Sequence, residues 1–335
     1  MSISSSSANA GREVAPAGAQ PRRGPRILRD ERLGLIVALI ALALLISLLA
    51  PSKFLRPVNI MNIILAISIT GLVAIAETVI MISGGLDVSV GAIVGISSVF
   101  AALAIKATNN VIVGVLAGLI MGVITGSING LLITRGRMNP VITTLATVSV
   151  FAGFAYIISN GQAVGISNDT FNQIGNGRAL GIPIPVLILV AIAALGIIFL
   201  NRTDLGRNIY AIGGNPVAAR LAGINLDRYK MGIYVLGGLI CGLAGVISAG
   251  RTNSGIPTST QTDLNFQAIT ACVLGGTALA GGKGTVLGTL LGVLIIGVLN
   301  NGMIILNVQT FWQMVARGML LIFAVLLQDW QSRRR

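Results

Sequence analysis

The sequence predicts an all-α membrane protein, a polytopic helical bundle of about ten transmembrane helices with one discontinuous or sharply turned segment near Gly84–Asp87. Three observations support this fold class. The 335-residue chain is 54% hydrophobic and only 10% charged, and its mean hydropathy is +0.88. Its apolar runs also reach the roughly 20 residues that a helix needs to cross a bilayer. A soluble chain of this length would need far more charge to cover its surface.

The apolar runs are typical of helices and not of barrel strands. Strands of a membrane barrel alternate apolar and polar residues over about ten positions, whereas LGLIVALIALALLISLLA (33–50) is apolar on every face. Backbone polar groups in lipid must be satisfied within the segment, which leaves helices. Ten spans fit the chain, at residues 34–50, 59–82, 88–106, 111–133, 140–159, 184–200, 231–250, 267–281, 285–306 and 311–328.

The spans define the expected organisation of the chain. Residues 1–30 are rich in Ser, Ala, Gly and Pro and predict a disordered tail. Residues 31–328 form the membrane domain, with a long connection at 201–230, and residues 329–335 form a basic C-terminus.

The distribution of Lys and Arg predicts that both termini are cytoplasmic, because cytoplasmic segments carry the excess of basic residues. With that orientation the inner segments hold 17 basic residues and the outer segments hold 5. The inner ones are Arg12, Arg22, Arg23, Arg26, Arg29, Arg32, Arg135, Arg137, Arg202, Arg207, Arg220, Arg228, Lys230, Lys283, Arg333, Arg334 and Arg335, the outer ones are Lys53, Arg56, Lys106, Arg178 and Arg251, and Arg317 lies within the last span.

Composition also limits the chemistry. The chain has no His, so His-based metal sites and catalytic triads are excluded. Cys241 and Cys272 lie in different apolar spans and are expected to be buried thiols instead of a disulfide. The net charge of +13 belongs to the connections between spans and therefore does not predict nucleic-acid binding. We expect no catalytic residues and no metal site.

The stretch MISGGLDVSVGAIVG (81–95) places an acid behind two glycines in an apolar region. Gly84 and Gly85 weaken a helix, and Asp87 can cap the helix that resumes at Val88. The stretch is either a capped turn between two helices or a discontinuous helix whose carboxylate faces an aqueous pathway. Glu77 lies ten residues before Asp87, inside the predicted span 59–82, and should face the bundle interior or a water-filled cavity.

Two glycine patterns have alternative explanations. The spacing GG-x5-G-x3-G occurs at Gly84 and again at Gly281, which suggests either an internal repeat or shared small-residue packing. GGTALAGGKGT (275–285) looks like a phosphate-binding loop, but its spacing is wrong and Gly284 replaces the Ser or Thr that would hold magnesium. We therefore expect no ATP site in this chain.

The connection NRTDLGRNIYAIGGNPVAARLAGINLDRYK (201–230) predicts a short helix outside the membrane. Asn215 suits the N-cap, Pro216 the first helical position and Gly223 the end. Its small residues permit close approach, so it is either a surface helix or a docking element for another subunit.

Three segments, in this order, resemble the signatures of ABC-importer permeases of the ribose/xylose type. MISGGLDVSVGAIVG, GRNIYAIGGNPVAARLAGINLDRYK and TDLNFQAITACVLGGTALAGGKGTVLGTLLGVLIIGVLNNGM each resemble one of them, and the similarity covers about residues 55–328. The resemblance implies a pair of permease subunits, homo- or heterodimeric, in a lipid bilayer. It also implies two cytoplasmic ATPase domains that use ATP and Mg, and an extracytoplasmic sugar-binding protein.

The resemblance also implies roles for particular residues. The coupling helix that fits a groove on the ATPase would comprise Asn215, Pro216, Ala218, Ala219, Arg220, Leu221 and Gly223. The candidates for lining the translocation pathway are Glu77, Asp87, Ser89, Asn300 and Asn301. Interhelical hydrogen bonding is the competing explanation for the two asparagines.

Two other functions remain open from the residues. An ion-coupled secondary transporter would need paired intramembrane charges, and only Glu77, Asp87 and Arg317 are candidates. A permease for branched-chain amino acids would share the general architecture. The expected cargo is a monosaccharide, with a pentose such as ribose or xylose favoured, carried across the inner membrane.

Overall fold

The computed structural model describes residues 31–257 and 260–333, and the predicted tail at 1–30 lies outside these residues. The described helices are α1 (Glu31–Leu49), α2 (Pro57–Ile82), α3 (Val90–Thr108), α4 (Val111–Thr134), α5 (Pro140–Ile158), α6 (Asp169–Asn176), α7 (Ile184–Arg202), α8 (Asp204–Gly214), α9 (Pro216–Leu221), α10 (Leu226–Thr252), α11 (Thr260–Leu274), α12 (Val286–Ile305) and α13 (Thr310–Arg333). The described strands have two residues each: β1 (Val164–Gly165), β2 (Arg178–Ala179), β3 (Ile182–Pro183) and β4 (Ser254–Gly255).

The long helices confirm the predicted helical membrane bundle. In the described part of the chain, eight helices are long and apolar enough to cross a membrane: α2, α3, α4, α5, α7, α10, α12 and α13. Two of the ten predicted spans correspond to shorter helices, α1 with its apolar stretch Leu33–Leu49 and the 15-residue α11. Each predicted span overlaps one of these helices, and the count of ten membrane crossings stays a prediction.

Three predicted spans have boundaries that differ from the structure by five or more residues: 231–250 at its start, 267–281 at both ends, and 311–328 at its end, where α13 continues to Arg333. The span predicted at 267–281 corresponds to α11, which ends at Leu274 because Gly276 adopts a φ of +86° and turns the chain. The span predicted to begin at residue 231 corresponds to α10, which begins at Leu226 because the Asn225 side chain accepts a hydrogen bond from the Arg228 amide at 3.1 Å. In both cases a local cap overrides the hydropathy limit.

Asparagine caps start several helices. The Asn110 carboxamide oxygen accepts from the amide of Ile112 at 2.9 Å at the start of α4. The Asn139 oxygen accepts from the amide of Val141 at 2.9 Å, ahead of Pro140 at the first position of α5. These side chains satisfy amides that the first helical turn leaves free, and proline needs no such partner.

A seam of glycines joins α4 to α10 at the centre of the bundle. A methyl group built on Gly122 or Gly126 of α4 would collide with the backbone of Gly238 on α10, and one on Gly242 would meet Gly122. The two backbones therefore touch directly. Helices in lipid are not held together by the hydrophobic effect. Small residues let them approach closely, so that van der Waals packing can hold them.

One end of the bundle carries the strands, and we call it the strand end. β1 pairs antiparallel with β4, with Val164 opposite Gly255, and β2 pairs with β3. α6 packs against the last turn of α10, where the Asn176 side chain donates to the Gly250 carbonyl at 2.9 Å. The connections after α5 and after α10 thus contain short regular elements and contact each other.

The opposite end carries α8, α9 and two glycine turns, and we call it the α9 end. The turn after α2 lies against the turn after α11, because the Gly282 amide donates to the Ile82 carbonyl at 2.8 Å. Gly84, Gly281 and Gly282 have φ values of +78°, +88° and +73°, which only glycine adopts readily. Both GG motifs therefore form tight turns, and these two turns pack against each other.

Large apolar side chains cover the outside of the bundle. On α13 the exposed ones include Phe311, Trp312 and Phe323, and on α5 they include Ile142 and Ile157. Such an apolar surface on long helices is typical of contact with lipid or with another membrane subunit.

Candidate translocation pathway and coupling element

The structure brings Glu77, Asp87 and Ser89 together in a fully buried group at the turn between α2 and α3. The Asp87 carboxylate accepts from the amide of Ser89 at 2.7 Å and from its hydroxyl at 2.5 Å. The Asp87 amide in turn donates to Glu77 Oε1 at 3.1 Å. The chain thus folds back so that its two acids share one hydrogen-bonded group.

Asn129 of α4 completes this group, and we call the four residues Glu77, Asp87, Ser89 and Asn129 the acid cluster. The Asn129 side-chain nitrogen donates to Ser89 Oγ at 2.8 Å and to Asp87 Oδ2 at 3.3 Å. Two acceptors in the cluster, Glu77 Oε2 and Asn129 Oδ1, are buried without a hydrogen-bond partner among the described residues.

Helices from elsewhere in the bundle hold the backbone around the acid cluster. Three side chains form these bonds: Thr144 accepts from the Val88 amide at 3.1 Å, Tyr234 donates to the Leu86 carbonyl at 3.3 Å, and Asn265 accepts from the Gly91 amide at 2.5 Å. They come from α5, α10 and α11. The turn is therefore bonded to three helices, so it can move only when these helices move or when these bonds break.

The predicted capping role of Asp87 needs correction. α3 begins at Val90 and not at Val88, and its N-cap residue Ser89 makes no side-chain cap bond. Asp87 accepts instead from the amide two residues further on, which closes a local turn before the helix starts. The segment is a sharp turn at the α9 end of the bundle, between two separate helices.

A second polar region is a cavity of about 320 Å³ that runs along α2 from the strand end. We call it the amide cavity. Its polar lining consists of Asn59, Asn62, Thr70, Arg251, Gln267, Asn300 and Asn301. The predicted residues Asn300 and Asn301 thus line this cavity, whereas Glu77, Asp87 and Ser89 are not among its lining residues.

Within the amide cavity, the two neighbouring asparagines have different partners. Asn301 exchanges two hydrogen bonds with Asn59 of α2, at 3.0 Å and 2.8 Å. Asn300 donates to Gln267 Oε1 at 3.3 Å, but its own side-chain oxygen has no partner among the described residues. Asn301 therefore joins α2 to α12, as the interhelical explanation predicts, and Asn300 retains a free acceptor.

One face of α2 connects the two polar regions. Asn59, Ala66, Thr70 and Glu77 are spaced by seven, four and seven residues, so a period of 3.6 places them on one side of the helix. At a rise of 1.5 Å per residue, the stripe from Asn59 to Thr70 is about 16 Å long, and Glu77 lies about 10 Å further toward the α9 end. The stripe is open at the amide cavity and covered by the 83–89 turn at Glu77.

The predicted coupling helix is α9. The Asn215 side chain accepts from the amides of Val217 and Ala218 at 3.1 Å and 3.0 Å, and Pro216 takes the first helical position. Gly223 follows the helix with a φ of +83°. The predicted start and stop signals are therefore confirmed, although the helix itself ends at Leu221.

α9 presents an apolar outer surface. Leu221 is 85% exposed and Val217 is 69% exposed, and Ala218 and Arg220 also face outward. Ala219 is buried against Ile212 and Leu226 in a small apolar cluster. α9 is thus fixed to the protein through one side chain, and its opposite face has no partner within the described chain.

The structure has a helix, α8, in a part of the 201–230 connection where the sequence predicts none. Thr203 caps it by accepting from the Gly206 amide at 3.0 Å. Its last turn touches the bundle, because a methyl group on Gly213 would collide with the Ile82 carbonyl and the Gly282 amide. The Tyr210 hydroxyl donates to the Gly284 carbonyl at 2.8 Å, and half-burial raises the pKa of this phenol, which keeps it protonated. α8 therefore links α9 to both glycine turns.

Other predicted features have definite positions. Cys241 and Cys272 are free and buried, as expected. Arg317 forms an ion pair with Asp263 of α11 at 3.0 Å and not with Glu77 or Asp87. In the loop that looks like a phosphate site, the Gly281 and Gly282 amides donate to the carbonyls of Ala278 and Ile82.

Several residues of these regions were not predicted. Asn129, Thr144 and Asn265 were missed in the acid cluster and its supports, and Asn59, Asn62, Thr70, Arg251 and Gln267 were missed in the amide cavity. A usable signal existed for three of them, since Asn59, Asn62 and Thr70 precede Glu77 on α2. The others come from distant helices, and only the fold brings them together.

Comparison with known proteins gives a family match over most of the chain. The model of the family described as "Branched-chain amino acid transport system / permease component" matches residues 59–325. No solved structure matches the chain.

Named relatives are similar over nearly their full length. The ribose import permease protein RbsC of Bacillus subtilis (strain 168) is 45% identical over 304 residues, which is 90% of this chain and 94% of the relative. The L-arabinose transport system permease protein AraH of Escherichia coli (strain K12) is 40% identical, over 91% of this chain and 92% of the relative. RbsC of the same E. coli strain is 37% identical, over 88% and 92%.

Proposed function

We propose, since this chain belongs to the family of branched-chain amino acid transport system permease components, that it is the membrane-spanning subunit of an ABC importer for a monosaccharide. A pentose such as ribose is the favoured cargo, because the relatives of 37–45% identity are named for ribose and arabinose. The family description names branched-chain amino acids, but these near full-length relatives favour a sugar.

The lining of the amide cavity supports a neutral, hydroxyl-rich cargo. Amides and hydroxyls offer both donors and acceptors, and Arg251 is the one charged residue among the lining groups. The volume of about 320 Å³ lies at the lower end of small-molecule sites, which span roughly 300–1,000 Å³. Asn300 lines this cavity, and its buried side-chain oxygen has no hydrogen bond to give up when a sugar hydroxyl approaches. A pathway of this kind holds its cargo through a few neutral hydrogen bonds and can release it.

The arrangement of the two polar regions supports alternating access. The amide cavity lies toward the strand end, and the acid cluster covers the same stripe of α2 at the α9 end. Passage to the α9 end requires that the 83–89 turn move away from Glu77. We infer that this turn is the inner gate, and that the strand end faces outward.

α9 supplies the means to move this gate, and its exposed Val217 and Leu221 are the single observation that carries the coupling role. An apolar pair on a six-residue helix outside the bundle suits a groove on a cytoplasmic ATPase. Motion of α9 would pass through α8, whose Gly213 touches the end of α2 and the turn at Gly282. ATP and Mg would be bound by the ATPase, with no ATPase site and no metal site in this chain.

The remaining partners follow from the same proposal. A second permease subunit, identical or related, would complete the membrane part, and an extracytoplasmic sugar-binding protein would deliver cargo at the strand end. The chain would lie in the inner membrane with both termini cytoplasmic, in agreement with the excess of basic residues in the inner segments. No nucleic acid is involved.

The ion-coupled alternative is not favoured. A proton or sodium relay needs charged groups that face each other along a path. Within the described residues, the intramembrane cation Arg317 is paired with Asp263, and the two acids of the cluster lie side by side with no ion pair to a cation.

The test is uptake by the reconstituted importer. The full chain is placed in proteoliposomes with its ATPase and binding protein, and labelled ribose uptake is measured with and without ATP. Replacement of residues 216–223 by a flexible linker of equal length should abolish ATP-driven uptake, whereas Leu205→Ser, at an exposed position on α8, should retain it. Uptake that continues without ATP and collapses with an ionophore would contradict the proposal.

A further inference from the structure

A second cavity lies at the α9 end and is not part of the proposed pathway. It has a volume of about 700 Å³. It is bounded by the last turn of α4, the connection to α5, Arg220 in the last turn of α9, the connection that follows α9, and the first turn of α10. We call it the cation pocket, because Arg137, Arg220 and Lys230 all line it.

The charges in the cation pocket are unbalanced. Asp227 is the one acid among its lining residues, against three cations. The ion pairs of Arg207 with Asp204 and of Arg317 with Asp263 involve none of the three cations of the pocket. The 27-residue helix α10 also begins at this cavity and adds the partial positive charge of its N-terminus. Like charges around one cavity repel each other, and an anion bound between them would relieve this cost.

Apolar side chains also line this pocket. Ile133, Met138, Pro140, Ile224 and Leu226 lie there together with the charged residues. A ligand that contacts both kinds of residue carries a negative group beside a hydrocarbon portion. A free inorganic anion would contact only the charged residues.

The position of the pocket selects the source of such a ligand. Ile133 and Thr134 close α4, and Pro140 opens α5, so the cavity lies where two membrane spans end. Exposed apolar side chains continue from it along both helices, at Leu131 on α4 and at Ile142 and Leu145 on α5. An acyl chain can follow this surface while the headgroup remains among the cations.

We propose that the cation pocket binds the headgroup of an anionic phospholipid from the leaflet on the α9 side. Basic pockets between membrane helices on the cytoplasmic side are suited to such headgroups. The headgroup would lie between the α4–α5 connection, which carries Arg137, and the end of α9, which carries Arg220. Lipid composition would therefore influence how α9 is held, a control that is separate from cargo recognition.

The test measures lipid retention by the purified full-length permease. The protein in detergent is mixed with dioleoylphosphatidylglycerol or with dioleoylphosphatidylcholine, and bound lipid is counted by native mass spectrometry. Wild-type protein should retain phosphatidylglycerol in preference to phosphatidylcholine. Excess inorganic phosphate should not displace it, because phosphate lacks the apolar part.

A matched pair of variants locates the site. R137Q/K230Q removes two charges from the pocket, and R135Q/R228Q removes two charges from the same segments, at residues that do not line it. At about 1 kcal/mol for each basic residue near the surface, the pocket variant should bind phosphatidylglycerol about 30-fold more weakly. The control should change it by less than about threefold. R137K/K230R, which keeps both charges, should weaken binding less than the pocket variant does.

Each other outcome overturns the proposal. Equal losses in the two double variants would indicate diffuse surface charge. Equal retention of both lipids, or displacement by phosphate, would remove the specific headgroup site. If R137Q/K230Q instead weakens binding of the ATPase while lipid retention is unchanged, the cations belong to the protein partner. Size-exclusion profiles of all variants show whether any of them has simply lost its fold.

Discussion

The acid cluster and the amide cavity are both polar regions inside an apolar bundle, yet they differ in how their hydrogen bonds are used. In the acid cluster, Asp87 accepts three hydrogen bonds and is 1% exposed. In the amide cavity, Asn300 is partly exposed to a space of about 320 Å³ and has an acceptor without a partner. Saturated polar groups fix structure, and unsaturated ones that face a cavity can bind a ligand.

The largest expected effect is on the acid cluster, through Asp87→Ala. This change leaves the Ser89 amide and the Ser89 hydroxyl without their acceptor in a buried site, and it removes the longer of the two hydrogen bonds that Asn129 donates. We expect a loss of about 3 kcal/mol or more in stability, because buried donors without partners are costly. Thermal unfolding in detergent measures this loss.

The control for that prediction is Glu77→Gln. Its side-chain carbonyl can still accept from the Asp87 amide, so the stability should change by less than about 1 kcal/mol. If Glu77→Gln destabilises as much as Asp87→Ala, the cluster depends on its charges and not on its hydrogen bonds.

A smaller effect is expected from the saturated pair at the edge of the amide cavity. Asn301→Leu breaks both hydrogen bonds to Asn59, and each such bond between membrane helices contributes about 0.6 kcal/mol. We expect a loss of about 1 kcal/mol in thermal unfolding. The double variant Asn59→Leu/Asn301→Leu should recover part of it, since no amide is left unpaired. Additive losses in the double variant would show that the pair is not coupled.

Asn300→Ala sharpens the contrast within one turn of α12. Its stability should stay within about 0.5 kcal/mol of wild type, because the bond to Gln267 is long and partly exposed. The rate of ATP-driven ribose uptake should fall about two- to tenfold, the value of one neutral hydrogen bond. Asn301→Ala is the matched control. It should reduce the stability more than it reduces the rate of uptake. The reverse ranking would mean that the free acceptor of Asn300 does not face the cargo.

The smallest effect is expected at Tyr210→Phe, which removes the hydrogen bond between α8 and the Gly284 carbonyl. Stability should fall by about 1 kcal/mol or less. The difference from wild type should be constant between about pH 6 and about pH 9, because burial raises the pKa of this phenol above its usual value near 10. Its effect is lost only as the pH rises past the unfolded-state pKa, where ionisation favours the unfolded chain. A difference that varies within the lower range would point to another titrating group.

The sequence predicts the architecture well, for physical reasons that are local. Long apolar runs must form helices in lipid, and the Asn215, Pro216 and Gly223 signals lie within nine residues of each other, so α9 follows from the chain itself. α8 was missed because its signals are weaker: Gly206, Gly213 and Gly214 lower helix propensity, and contact with the bundle outweighs that cost.

The sequence predicts mainly those site residues that lie close to each other along the chain. Glu77, Asp87 and Ser89 lie within 13 positions of each other, and their grouping was within reach of the residues alone. Asn129, Asn265 and Gln267 join the two polar regions from helices far along the chain. An isolated amide in an apolar span indicates a buried hydrogen bond but not its partner, so only the packing of α4, α11 and α12 supplies that information.

The central claim is that a separate ATPase drives this conduit through α9, and site-directed cross-linking tests it most directly. Cys241 and Cys272 are buried, so a cysteine introduced by Leu221→Cys is the accessible thiol of the described residues. In the assembled importer, it should form a cross-link to the ATPase whose yield changes with ATP, and Leu205→Cys should form none. A Leu221→Cys protein that transports ribose with ATP but never cross-links to the ATPase, in any nucleotide state, would contradict the account.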